Sequence, residues 1–418
     1  MADVKPFQCI RPKKEVAGRI AALPYDVYNR EEAKKEIQKE PLSFLRIDRA
    51  ETQFDDSVDT YDKKVYVKAR DLLEGMIADG TFVTETQECY YIYELIMNGR
   101  SQTGLVACAS IDDYIHNVIK KHENTREDKE LDRIRHVDTC GAQTGPIFLA
   151  YRSHEKINHI IEEAKQDEIL YDFQSLDGIT HHVWMIKDED KVREIRDAFN
   201  NVDSIYIADG HHRAASAVKV GLKRREANPG YHGREEFNYF LSVLFPEDQL
   251  MIMPYNRVIK DLNGNNLSEF IEKVKGHFDV APLGKHPYTP EEKGCFGMYT
   301  AGNWYKLTAH EDIRSNTDPV ESLDVSILQN YILSNILGIK DPRTDERIDF
   351  IGGIRGLGEL EKRVNEDMEI AFSMYPTSIT ELFAVSDAGK LMPPKSTWFE
   401  PKLRSGLFVH KLNKIEYV

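Results

Sequence analysis

The chain has 418 residues, 41% of them hydrophobic and 30% charged, a length beyond what one core usually organises and a composition near the globular average, so two or three domains are expected and disorder is excluded. Its 70 acidic and 55 basic side chains leave a formal charge of -15, which removes any general electrostatic reason to approach nucleic acid or an anionic bilayer, and makes any phosphate site a local feature. No apolar run of about 18 residues occurs, and Met1-Ala2-Asp3-Val4-Lys5 lacks the layout of a secretory signal, so a cytoplasmic, membrane-free protein is expected.

In chain order, Phe7 to Pro12 reads as extended, and Pro24 disfavours helix just before Tyr25-Asp26-Val27. Asn29 has the chemistry of an N-cap for a helix over Arg30 to Lys39, which Pro41 ends. A second helix is expected from Tyr61 to Asp79, with Val65, Ala69, Leu72, Leu73 and Met76 on its apolar face. Cys89 to Met97 and Thr103 to Ile111 are β-rich runs around Asn98-Gly99-Arg100-Ser101, a hairpin pattern. The charged stretch Lys120 to Glu127 leads into Asp128 to Val137, whose mixed charges predict an exposed helix.

From Gly145 onward strands and helices alternate. Strands are expected at Pro146 to Tyr151, Ile179 to Ile186 and Ser204 to Ala208, and helices at His154 to Asp167, Asp190 to Phe199 and Ala214 to Leu222, an α/β (α+β) layout. His181-His182 reads as strand-face polarity. Phe237 to Phe245 and Leu250 to Val258 follow as strands. The texture changes near Asp261, and Leu262-Asn263-Gly264-Asn265-Asn266 reads as a boundary loop. A helix is expected at Val325 to Leu337, Arg343 and Arg347 read as solvated ion pairs, and Met392 to Lys402 is too rich in proline for a helix interior. The five cysteines, Cys9, Cys89, Cys108, Cys140 and Cys295, form no CxxC pair and read as small apolar residues.

The strongest chemical signal is Asp209-Gly210-His211-His212-Arg213. A strand that ends in Asp-Gly and restarts as Ala214-Ala215-Ser216-Ala217 gathers unpaired N–H groups and a partial positive charge, which suits an anion. Gly210 permits close approach of the backbone, Arg213 can donate a bidentate pair and His212 one more hydrogen bond. Asp209 would repel phosphate unless it holds Mg²⁺ or a substrate hydroxyl or amine. A zinc site built from His211 and His212 is disfavoured, because adjacent side chains on a strand or helix point apart and no obvious HExxH or HxH partner occurs. Neither a Walker pattern nor a kinase GxGxxG loop is present, so neither standard device holds a donor.

At this turn the sequence resembles the superfamily that joins ParB-type nucleotide-binding domains, sulfiredoxin and the free-serine kinases. The Asp-Gly-x-His-Arg form is that of the kinase branch, which also carries a His-Glu-x-Thr-like segment ahead of a charged helix. Here His122-Glu123-Asn124-Thr125-Arg126 stands in the same order. Over nearly its whole length the chain also resembles a bacterial and archaeal family of unknown function, through Leu23-Pro24-Tyr25-Asp26-Val27, Lys121-His122-Glu123, Ala208 to Arg213 and Pro393-Pro394-Lys395-Ser396-Thr397. Sulfiredoxin chemistry requires a cysteine where His211 stands, and ParB proteins add basic DNA-reading segments that this acidic chain lacks.

The resemblance implies a ParB/sulfiredoxin-like core over 106–260, with α+β additions at 1–105 and 261–418. It implies a kinase that phosphorylates a small hydroxyl compound, foremost free L-serine, from ATP, ADP or pyrophosphate with Mg²⁺, and it leaves a homo-oligomer open. Glu123 would be the catalytic glutamate, Asp209 would contact Mg²⁺ or substrate, and His212 would act beside Arg213. Gly210, His211, His212 and Arg213, with Lys395, Ser396 and Thr397, would hold phosphate. Asp26, His122, Thr125 and Arg126 would face the substrate, His122 as a solvated residue that orients its loop. The competing readings are a nucleotide-binding regulatory protein without catalysis and a metal-dependent phosphohydrolase around Asp209.

Overall fold

A computed structural model describes residues 1–413, which fall into two compact units, Met1–Leu250 with the residues from Pro401 onward, and Met251–Glu400. Among the described residues the first unit is built on a nine-stranded mixed sheet. Its order is Ile119–Lys120, Ile205–Asp209, Ile147–Tyr151, Tyr239–Pro246, Arg100–Ser110, Tyr90–Met97, Thr180–Ile186 and Tyr171–Gln174, with Val4–Lys5 also pairing to Arg100–Ser110. Ile205–Asp209 runs antiparallel to Ile147–Tyr151 and parallel to Ile119–Lys120.

Strand alternation decides what each face buries. Ile205 and Ile207 join Leu105, Ala107, Ile147, Leu149 and Leu244 in one core, closed by Ile157, Ile160 and Ile161, Ile195 and Phe199, and Ala214, Ala217 and Val218 from three helices. Each large side chain so buried contributes about 1.5–3 kcal/mol. A second core gathers Phe44, Leu45, Val65, Ala69, Leu73 and Phe82 around the helix Lys63–Ala78.

Local chemistry accounts for several elements. Asn29 caps Arg30–Lys39 in a capping box with Glu32. The hairpin turn is the pair Asn98-Gly99, at φ 53 and 78, the conformation that matches strand twist. Arg100 and Ser101 therefore open the second strand rather than complete the turn.

The structure corrects other expectations. The division expected between residues 105 and 106 falls inside the central strand Arg100–Ser110, whose pairing on both sides cannot be split between domains. The charged helix, Glu127–Cys140, is not an exposed one: Glu130, Asp132, Arg133 and His136 are buried. The helix after the phosphate turn begins at His211, not Ala214, and extends to Ala227. Pro254, without an N–H, separates Ile252–Met253 from Tyr255–Ile259, and Tyr171–Gln174 is an unanticipated edge strand.

The second unit has a six-stranded antiparallel sheet, ordered Phe278–Gly284, Asn303–Ala309, Cys295–Thr300, Ile370–Ser373, Tyr255–Ile259 and Ile348–Gly352. The expected Val325 to Leu337 helix is a short α-helix, Asp324–Leu328, that widens into a π turn over Gln329–Ser334. Arg343 and Arg347 pair with Asp341 and Asp345 at 2.8 Å. All five cysteines are buried and free, and no described helix is long and apolar enough to cross a membrane.

Candidate functional site

The strand Ile205–Asp209 delivers its last carboxylate to the point where the helix His211–Ala227 starts. Gly210 takes φ 94, a conformation that favours glycine, and a Cβ on it would crowd the Arg213 guanidinium at 3.0 Å. The first intrahelical bond runs from the Ala214 N–H to the Gly210 carbonyl. The N–H groups of His211, His212 and Arg213 therefore precede the ladder, and no side chain caps this end. This is the backbone geometry that receives an anion.

Two cations flank the turn. Lys402 Nζ lies 3.3 Å from Asp209 Oδ2, and an Arg213 guanidinium nitrogen lies 3.9 Å from the same oxygen. Asp209 Oδ1 accepts the Gly210 N–H at 2.9 Å. Burial would raise the Asp209 pKa, but Lys402 and Arg213 outweigh it and hold the carboxyl well below the usual range. Arg213 also donates to the Pro146 carbonyl, which fixes it across the turn. Part of its donor capacity is thus spent on the fold.

His212 accepts the Arg126 backbone N–H on Nε2 at 3.0 Å. Its neutral ring then carries the proton on Nδ1, and burial holds its pKa below the usual imidazole range. Asp26 is exposed, and its charge acts on His212. Thr125 donates to Glu130 Oε2 at 2.7 Å, and Arg126 pairs with Asp128 at 3.0 Å, so these two expected substrate contacts have protein partners.

His122, expected to be solvated, is 2% exposed. Its ring packs edge-on against that of His211, centroids 4.5 Å apart at 90°. His122, Glu123 and His211 each bring a ligand atom within 4.8 Å of the others, and among the described residues they form the group able to hold a metal ion. The carboxylate assigned to Mg²⁺ from sequence, Asp209, has the oxygen chemistry that ion prefers, but both its oxygens already meet protein donors. Among the described residues no group meets His122 Nδ1 or His211 Nε2, and leaving a buried polar atom unmatched costs about 1–3 kcal/mol.

Lys395, Ser396 and Thr397 lie in the second unit. Lys395 takes φ 58, its carbonyl accepts from Arg257 at 2.9 Å, and Ser396 donates to the Pro393 carbonyl at 2.6 Å. No role in the site is assigned to them. Lys402 is the residue that sequence reasoning missed: nothing but its charge marked it, and it reaches Asp209 only through the return of the chain to the first unit. Near the turn, Tyr25, Asp48, Arg133, Gly145 and Arg213 line a cavity of about 30 Å³, room for about one water and not for an amino acid.

No curated protein matches the chain. Among solved structures it is similar to a free serine kinase in complex with AMP (14% identity, TM-score 0.37, covering 77% of this chain and 92% of that one). It is also similar to a conserved hypothetical protein from Pyrococcus furiosus (14%, TM-score 0.34, 72% and 94%), and to SbnI with C-terminal truncation from Staphylococcus aureus (11%, TM-score 0.38, 71% and 82%). The family model described as "Protein of unknown function (DUF1015)" matches residues 4–326, most of the chain and all of the turn. The chain belongs to the DUF1015 family.

Proposed function

We propose that this protein is a phosphotransferase that moves a phosphoryl group to the hydroxyl of a small metabolite, foremost free L-serine, from ATP, ADP or pyrophosphate with Mg²⁺. The observation that carries the reading is the meeting of Glu123 with the uncapped, cation-flanked start of the helix His211–Ala227. Phosphoryl transfer needs positioning and charge neutralisation above all, and this turn supplies both. The motif resemblance at His122–Arg126 and Asp209–Arg213 supports the same reading.

In this account the N–H groups of His211 to Arg213 and the Lys402 ammonium cradle the transferred phosphate. His212 donates through Nδ1. Glu123 orients the acceptor hydroxyl and takes its proton late in transfer. Of the residues here, Asp209 would hold Mg²⁺, which would supply charge neutralisation to the donor, and Lys402 would then be free to meet the phosphate. The test is donor consumption with and without L-serine. Consumption that requires the acceptor and is lost in Glu123→Ala agrees with transfer; phosphate release at the same rate without acceptor replaces the kinase by a phosphohydrolase.

A further inference from the structure

The proposed transfer reaction leaves two buried groups unexplained. His122, in the loop before the helix Glu127–Cys140, and His211, at the start of the next helix in the site, turn toward each other at 2% and 6% exposure. His122 Nδ1 and His211 Nε2 meet no protein partner. The other nitrogen of His122 is engaged by the Ile207 backbone carbonyl, the kind of outer contact that fixes tautomer and ring orientation in metal-bound histidines. Glu123 completes the group, with all three ligand atoms within 4.8 Å of one another.

We propose that His122, Glu123 and His211 form a binding site for a divalent transition-metal ion of the zinc type, separate from any Mg²⁺ carried by a phosphate donor. Two imidazoles and one carboxylate match zinc, manganese, iron or cobalt better than magnesium, which favours an all-oxygen shell. Ligands of a tetrahedral zinc stand about 3.4 Å apart, so small side-chain rotations close the observed spacing. Three protein ligands leave a position open, where a bound hydroxyl or water becomes more acidic. The site goes beyond the phosphotransferase reading and does not depend on it; the two share Glu123, which is a ligand with the ion bound and the acceptor's base without it.

The test reads metal, not turnover. Chelator-stripped protein is dialysed against Zn²⁺ in excess Mg²⁺ and its metal content measured, and Co²⁺ is added separately to read visible absorption. The expected result is one Zn²⁺ per chain despite Mg²⁺, a Co²⁺ band displaced by Zn²⁺, and affinity at least about 100-fold weaker in His122→Ala and in His211→Ala. Circular dichroism establishes that the variants are folded. If they are not, the wild-type Co²⁺ spectrum decides, through the presence or absence of an imidazole-ligand band. Substoichiometric Zn²⁺ in the wild type, no Co²⁺ band, or full binding in a folded histidine variant overturns the proposal. Zn²⁺ binding without phosphoryl transfer leaves this site standing and removes only the phosphotransferase reading.

Discussion

Two of the buried polar clusters of the first unit differ in one respect. In the first, Asp132 receives Tyr66 Oη at 2.8 Å and Arg133 Nε at 2.9 Å, and Arg133 lies 3.9 Å over the Tyr25 ring. Asp48 receives Thr144 at 2.8 Å, and His136 Nε2 meets the Ile47 carbonyl at 3.3 Å. In the second, His122 and His211 are as deeply buried, yet each keeps a ring nitrogen that no protein group meets. Matched charges hold helices together, whereas two facing unmatched imidazole nitrogens beside a carboxylate can receive a ligand. On the reading proposed above, the Arg133 cluster serves stability and the His122–His211 pair serves a ligand.

The largest expected effect breaks the matched cluster. Arg133→Met strands Asp132 in a buried setting and should lower unfolding free energy by about 3–5 kcal/mol, read from denaturant midpoints; a loss no larger than that of an exposed arginine contradicts the structural role. At the other cluster, Glu123→Ala should leave the midpoint unchanged and reduce turnover about 10²–10⁴-fold. An unfolded Glu123→Ala protein would erase the contrast.

Titration sharpens the comparison. His122 falls from 6.5 to about 4 in the fold through burial, so between those values the unfolded chain binds the extra proton. Its contribution to stability is therefore full above the unfolded pKa and is lost as pH falls through the folded one. The amount is about 3 kcal/mol in metal-free protein. His122→Asn should flatten that acid limb by up to about one proton in slope, and an unaltered limb would deny the burial argument. The smallest effect is expected at the unmatched pair itself. His211→Ala should cost metal-free protein less than Arg133→Met does, because it removes a buried ring with an unmatched nitrogen and strands no charge, and a loss like that of Arg133→Met would make the pair structural.

What was legible in the sequence was local. Asn29 and Glu32 sit within one helical turn, Asn98-Gly99 within one hairpin, and the strand, glycine and helix of the phosphate turn within one short span, so each carries its own signal. The buried side of Glu127–Cys140 was not legible, because paired charges in a core leave no apolar period. Nor was the meeting of His122 with His211. The partner of His211 is not its neighbour His212 but His122, from a loop far away in the chain. Lys402 reaches Asp209 by the same kind of long-range return, and tertiary pairing of this sort has no local pattern.

The central claim is tested most directly by phosphorus NMR of the purified protein with Mg²⁺ and L-serine, offering ATP, ADP and pyrophosphate in parallel, with Glu123→Ala beside it. The account predicts a phosphoserine signal from at least one donor in the wild type and none in the variant. A wild type that forms no phosphomonoester from any donor, or a variant that forms as much as the wild type, would contradict it.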